Sequence, residues 1–348
     1  AVQGNPLWIE PHVDASSIRF ALSRERIFET VNRRFYTSIP AVTPGVLTAV
    51  NATGAVMRVA SDALALPGYE FNAWDEASEL HTALLLDQPA SIAFQFHWSP
   101  GVIANETGED FGALRFLGRG WSNYAGSTWG RSYNVAKALG EHVHNVIVPP
   151  DTEFSFNSTL GGPVTTMNGW ALAKIIVDGK DLETAPGGGV CQASTTVYRS
   201  LLSAGLPVVK RAPHSLYVSY YEEGGVGLDA TVFPGLQDLT FRNDTGNYLL
   251  IQAYTTEEKD AVVNIFGTPD GRSVSLEGPY FSSTSPEDFR PKGRALKYNE
   301  IGWAHTIHRP DGSAEKEEIV SRYQYIPRYL VQKYEQMQEE EMLTALKE

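Results

Sequence analysis

Ala185-Pro-Gly-Gly-Gly-Val-Cys-Gln-Ala-Ser-Thr-Thr-Val-Tyr198 is a glycine loop that runs straight into a helical pattern, and it carries the single cysteine of the chain, Cys191. The predicted helix covers Gln192 to Ala204, with Gly205 in the stop position and Pro207 just beyond it. Around it the chain alternates short β-prone stretches with Gly and Pro: Asn145 to Val148, Ala173 to Val177, Pro207 to Lys210, Ala230 to Phe233 and Tyr248 to Tyr254. One clear helix among many short strands predicts a β-rich domain over residues 131–267 and an α+β class for the chain.

Outward from that domain the pattern changes on both sides. Upstream, Ile18, Leu22, Ile27, Val31 and Phe35 fall at roughly helical spacing, which predicts an amphipathic helix starting after Asp14. Val46 to Val50 and Ala55 to Ala60 flank the turn-prone Asn51-Ala-Thr-Gly54, a hairpin pattern; Trp74 to Leu86 reads as a second helix, and Ile92 to Trp98 as a strand closed by Pro100. Residues 1–103 are therefore expected to form a small N-terminal α+β domain. Residues 104–130, rich in Gly, Asn, Ser and Thr, read as a linker or entry loop before a helix from Tyr133 to His142. Downstream, residues 268–348 hold a hairpin around Pro310-Asp-Gly-Ser313, joining Ala304 to His308 with Glu317 to Tyr323. A charged helix, Tyr329 to Glu348, follows; Leu330, Val331 and Tyr334 are its docking face, and Glu339, Glu340 and Glu341 face water.

Composition narrows the partners. With 348 residues, 42% hydrophobic and 20% charged, the chain belongs to the globular class, and no apolar run is long enough to span a bilayer. A formal charge of -13 argues against nucleic acid and offers no attraction to an anionic membrane. The sequence opens at Ala1 with neither Met nor a basic, apolar leader, a start compatible with an export signal or anchor removed upstream but not one that decides it. One cysteine excludes an intramolecular disulfide and a thiolate-based zinc site. His142-Val-His144 and His305-Thr-Ile-His308 have no accompanying carboxylate or thiolate pattern, so neither a metal nor another cofactor is expected. Trp98, Trp121, Tyr124 and Trp129 read as core or loop anchors rather than as a sugar-stacking platform.

The chemistry centres on Cys191. A helix start presents unpaired N–H groups and the positive end of the helix dipole, and both favour a thiolate. Gly187, Gly188 and Gly189 imply special backbone angles or a close neighbour, and their N–H groups are candidate donors to an oxyanion beside the sulfur. A thiolate nucleophile also needs a proton carrier. His214, in Ala212-Pro-His-Ser215, follows an extended segment 23 residues after Cys191 (214 − 191 = 23), and a helix packed on the next strand brings the two together. The same order, helix-borne Cys then strand-borne His, occurs in papain-like hydrolases. Asp229, in Gly227-Leu-Asp-Ala-Thr-Val232, is placed to orient the imidazole, or it is an ordinary acidic turn residue. A buried thiol with a hydrogen-bonded turn histidine remains the alternative to a catalytic pair.

The chain also resembles the VanW-domain family, named after an accessory protein of vancomycin-resistance clusters. The likeness runs from about Arg131 to Thr255, through Arg131-Ser-Tyr-Asn134, Val148-Pro-Pro-Asp-Thr-Glu-Phe-Ser-Phe-Asn157, Gly161, Gly187-Gly-Gly-Val-Cys-Gln-Ala-Ser-Thr-Thr196, Pro213-His-Ser215, Asp229-Ala-Thr231 and Phe241-Arg-Asn-Asp-Thr245. Pro149-Pro-Asp151 departs from the family's usual Pro-Gly-Glu. Gly68 to Val102 is similar, more loosely, to the peptidoglycan-binding-like domain that often precedes VanW domains, and Val320-Ser-Arg-Tyr323 to the segment that often follows them.

The resemblance implies an extracytoplasmic L,D-transpeptidase in the cell wall. Cys191 attacks an L-centre carbonyl of a peptidoglycan stem peptide and expels D-Ala; His214 moves the protons. The Gly187 to Gly189 loop holds the oxyanion, and Arg131, Asn157 and Ser215 are candidates for substrate contact or for holding loops. A Cys/His hydrolase or carboxypeptidase, a non-catalytic wall-binding module, and an accessory role in glycopeptide resistance are the competing readings.

Overall fold

The computed structural model describes residues 6–13, 17–36, 40–53, 56–86, 93–177 and 181–345, and in it the chain forms two compact units. One holds residues 1–46 and 62–104, the other residues 47–61 and 105–348. The hairpin at 47–61 thus clusters with the downstream unit, although it interrupts the upstream one in sequence.

In the first unit a hairpin of Ile9–Val13 with Ile18–Leu22 precedes helix α1 (Arg24–Tyr36), and helix α2 (Ala73–Leu85) follows. The helix expected after Asp14 therefore begins ten residues later, and Ile18 to Leu22 is a strand. The signal lies at Ser23, whose hydroxyl accepts the Arg26 N–H at 3.4 Å and caps α1. Asn72 caps α2 in the same way, accepting from the amides of Trp74 and Asp75. Ile27 and Val31 of α1 bury against Trp8 and against Ala73, Ala77 and Leu80 of α2. The strand expected from Ile92 to Trp98 shrinks to His97–Ser99, paired with Gly68–Glu70; Asp14, Gly54 and Ile92 lie outside the described residues.

The second unit is built on six antiparallel strands in the order Pro44–Thr53 (from Leu47 on), Val56–Ser61, Val146–Val148, Leu249–Thr255, Asp260–Gly267, Arg115–Asn123. Arg115–Asn123 occupies the stretch whose composition reads as a linker. Its glycines mislead composition but serve packing. A Cβ on Gly120 would lie 1.9 Å from the Thr196 carbonyl oxygen, so only glycine lets the helix that carries Thr196 lie on this strand. Helix α3 (Trp129–Lys137) continues through a wider turn to Val143, and the short α4 (Phe156–Thr159) follows.

Helix α5 (Val190–Ala204) packs on the sheet and is buried along nearly its whole length. Its polar side chains are satisfied inside: Ser194 Oγ donates to the Ala230 carbonyl at 2.6 Å, and Thr195 Oγ1 accepts the Ala230 N–H at 3.0 Å. Those two bonds explain why Ala230 to Phe233 is no strand, since the Ala230 amide and carbonyl are held by α5 rather than by a ladder. The C-terminal hairpin is as expected: Glu300–His308 pairs with Ala314–Arg322, and Ser273–Tyr280 joins as a third strand. Helix α6 (Arg328–Ala345) docks through Leu330, Val331 and Tyr334. No described helix is long and apolar enough to cross a membrane.

Candidate cysteine-histidine site

Helix α5 opens on the glycine loop with left-handed angles at Gly187 (φ +85°) and Gly189 (φ +114°). Between them Gly188 lies flat on the neighbouring strand, where a Cβ would come within 2.6 Å of the Lys174 carbonyl oxygen. Asn134 of α3, fully buried, clamps the loop by donating to the Gly188 carbonyl at 3.0 Å while bonding both the amide and the carbonyl of Ala171 at 2.9 Å. Three glycines are thus required by close backbone approach and positive φ. The loop delivers Cys191, half-buried, to the second position of the helix, where its own N–H has no intrahelical acceptor and the dipole is positive. The Gly187 N–H is already committed to the Ala171 carbonyl at 3.1 Å, so of the donors expected from the loop this one is taken.

His214 reaches the sulfur from the other side. Both side chains are buried around it, His214 to 7% and Asp229 to 2% exposure. Asp229 Oδ2 accepts the His214 backbone N–H at 2.7 Å and faces its Nδ1 at 2.5 Å. Its other oxygen accepts from the Tyr323 hydroxyl and lies 3.4 Å from the Arg211 guanidinium. With Nδ1 held by the carboxylate, Nε2 is the nitrogen left to interact with Cys191. Tyr221 packs against the imidazole at 5.6 Å between ring centres.

The electrostatics follow from this geometry. Burial alone would hold His214 neutral, but the Asp229 carboxylate and then the Cys191 sulfur outweigh it and raise its pKa to about 10. Burial likewise works against a Cys191 thiolate, and His214 first, then Arg131, bring the thiol below its ordinary value. Asp229 stays ionised, down to a pKa of about 2, because the imidazolium, Arg211 and Tyr323 more than offset its desolvation. The pairing thus biases the thiol toward the thiolate and the imidazole toward the imidazolium. The contact of Sγ with the Val232 carbonyl, 3.4 Å, is one that only the protonated thiol can make.

Among the other expected site residues, Arg131 lies nearest the chemistry. It projects from α3, donates to Gln192 Oε1 at 2.5 Å, and stacks on Tyr220 at 4.5 Å. Ser215 is held through its carbonyl, which accepts the Gln324 N–H at 2.8 Å. Asn157, on α4, donates to the Gln237 carbonyl at 2.7 Å and so braces the loop after Val232. The paired histidines are structural: His142 stacks on Trp170, His144 Nδ1 accepts the Ala253 N–H, and His305 Nε2 bonds the Leu202 carbonyl. Among the described residues no group of three or more His, Cys, Asp or Glu is placed to hold a metal.

The sequence reading missed Tyr323, Arg211, Tyr221 and Arg199. Arg199, buried in α5, directs its donors to the carbonyls of Trp121, Tyr221, Glu223, Gly225 and Leu228. It thereby fixes the loop that sets Tyr221 against His214. Only Tyr323 had a signal, inside the Val320-Ser-Arg-Tyr323 run.

Comparison with known proteins places most of this site in a matched region. Residues 130–266 match the family model described as VanW like protein. The uncharacterized protein YoaR of Bacillus subtilis (strain 168) is 38% identical over 141 residues, 39% of this chain and 43% of that one, so the chain spans less than half the length of this relative. No solved structure matches. Cys191, His214 and Asp229 fall inside the matched residues, and Tyr323 falls outside them. Residues 130–266 of this chain are accordingly a VanW-like domain.

Proposed function

We propose that this protein acts on the cell wall as a cysteine acyltransferase, joining peptidoglycan stem peptides in the manner of an L,D-transpeptidase outside the cytoplasm. The observation that carries the reading is Cys191 at the start of α5 in contact with a His214 whose Nδ1 is held by Asp229. The VanW-like domain supports the cell-wall setting. The Cys191 thiolate attacks the carbonyl of an L-centre residue in a tetrapeptide stem, and the helix start with the Cys191 N–H faces the oxyanion. As the C–N bond breaks, the His214 imidazolium gives its proton to the departing amine of D-Ala, leaving a thioester. Neutral His214 then takes a proton from the acceptor amine, which attacks the thioester and restores the thiolate and imidazolium.

Mass spectrometry of the protein incubated with a disaccharide-tetrapeptide and an excess of a D-amino acid tests this. Expected are an acyl adduct on Cys191 lacking D-Ala and an exchanged product, both absent in Cys191→Ala. If the adduct forms but only hydrolysed stem appears, the acceptor is water and the protein is a carboxypeptidase. Folded protein that gives neither adduct nor product overturns the reading and favours a wall-binding module.

A further inference from the structure

A second feature of the same unit has no part in the cysteine chemistry. Trp129 and Tyr133, one turn apart on α3, stack with ring centres 5.3 Å apart and planes 20° apart, yet Trp129 is 76% and Tyr133 39% exposed. They form one wall of an open groove of about 450 Å³, within the range of small-molecule sites. Tyr124 and Ser132 also line it, and the turn bearing Glu257 and Lys259 stands opposite.

That turn is fixed in place. The Tyr124 N–H donates to the Lys259 carbonyl at 2.9 Å, and Asn123 Nδ2 bonds the Glu258 carbonyl at 3.0 Å and Asp260 Oδ1 at 2.7 Å. Lys259 itself is held at φ +68°, in the left-handed region. Both walls are thus formed before any ligand arrives.

We propose that this groove binds a neutral saccharide chain. A pyranose ring presents a flat face of C–H groups, which suits an exposed indole, and an edge of hydroxyls, which suits hydroxyl and charged side chains. The rim carries one anion and one cation, Glu257 and Lys259, so it complements a ligand rich in hydrogen-bonding groups without net charge. A nucleobase offers a similar flat face but brings phosphates, and a chain of net charge -13 supplies no basic cluster for them. An apolar peptide would leave the hydroxyls and charges of the rim without partners. Arg131, which reaches toward Cys191, leaves the same nine-residue helix two residues after Trp129. Trp129 and Arg131 therefore project on nearly opposite sides of a cylinder about 10–12 Å across. A glycan in the groove thus lies one helix away from the residues around the thiol, and the saccharide site bears on the proposed function by naming the glycan as the part of the substrate held there.

Saturation-transfer difference NMR with chitotetraose as the probe tests this on the full chain, in wild type, Cys191→Ala, Trp129→Ala and Trp129→Phe. Saturable transfer is expected in wild type and Cys191→Ala alike, so the site is judged independently of any acyl transfer. Trp129→Ala is expected to weaken binding about tenfold or more, as loss of an aromatic anchor does, and Trp129→Phe to restore most of it. Trp129 makes an exposed stack only, so the circular dichroism of the variants should be unchanged. No saturable transfer in folded wild type, or equal binding by Trp129→Ala, overturns the proposal. So does displacement of the probe by a sugar-free stem peptide, which would assign the groove to peptide.

Discussion

At Cys191 the opposing contributions are visible one by one. Burial opposes the thiolate; His214 and Arg131 favour it, and the net result is a thiol below its ordinary pKa. The pH dependence follows with a definite sign. The thiol is lowered and the imidazole raised to about 10, so each partner favours the charged form of the other. Alkylation of Cys191 by iodoacetamide should therefore have its midpoint below the ordinary thiol pKa of about 8.5. His214→Ala removes the counter-ion and leaves burial unopposed on that side, so the reaction at neutral pH should slow about tenfold or more and its midpoint should move up. Asp229→Asn should act in the same direction through the imidazole, since His214 then loses the partner that most offsets its burial and its pKa falls; NMR titration of His214 would show it. A Cys191 that alkylates at the same rate in all three proteins would remove the ion pair from consideration. Cys191 and His214 were legible from the sequence because a single cysteine at a helix start and a Pro-His turn are local signals. Asp229 was legible as a residue that either orients the imidazole or simply opens a turn, and the structure shows its carboxylate on His214 Nδ1. The contact of Tyr323 with Asp229 was not legible, because a hydrogen bond between positions 94 residues apart leaves no local trace, even though the run that holds Tyr323 stood out.

Elements were legible where one local pattern decided them. Val190–Ala204 had its Gly205 stop, and Glu300–His308 with Ala314–Arg322 had its Asp311-Gly312 turn. Arg115–Asn123 failed because the glycines that make it look like a linker serve the packing of α5. Ala230 to Phe233 failed for the opposite reason, a β-prone run whose backbone bonds go to helix side chains. Arg199 shows how α5 organises what surrounds it. Five carbonyls converge on one guanidinium, and Lys has three donors in a different geometry. Arg199→Lys leaves at least two buried carbonyls without a donor, each costing about 1–3 kcal/mol, so a loss of roughly 2–6 kcal/mol is expected. Denaturant unfolding measures it. Because the loop carrying Tyr221 rests on these bonds, alkylation of Cys191 should change in the folded variant too, and an unchanged stability would mean that the loop does not depend on Arg199.

At the scale of the whole molecule, the boundary of the matched family region at residue 266 is not a boundary of the fold. Phe281, Ile301, Ile319 and Leu330 all belong to the core that also holds Val197 and Leu201 of α5 and Val263 of the main sheet. Trp303 Nε1 donates to the Val226 carbonyl at 2.8 Å, and Ser321 joins Arg211 to the Gly227 carbonyl, so the loop leading to Asp229 is held from the C-terminal hairpin. Each of those four side chains contributes about 1.5–3 kcal/mol on burial, a sum of roughly 6–12 kcal/mol that is comparable with the whole stability of an ordinary domain, about 5–15 kcal/mol. A chain ending at Gly267 is therefore expected to lack a cooperative thermal transition, even though it retains Cys191, His214 and Asp229. Tyr323→Phe separates the two contributions of the hairpin. It keeps the ring in the core and deletes only the hydroxyl on Asp229, so it should fold and lose about 1.5–3 kcal/mol, the worth of a hydrogen bond to a charged group. If instead the chain ending at Gly267 melts cooperatively with a reactive Cys191, the VanW-like domain is self-sufficient and the C-terminal hairpin is an addition to a site already complete without it.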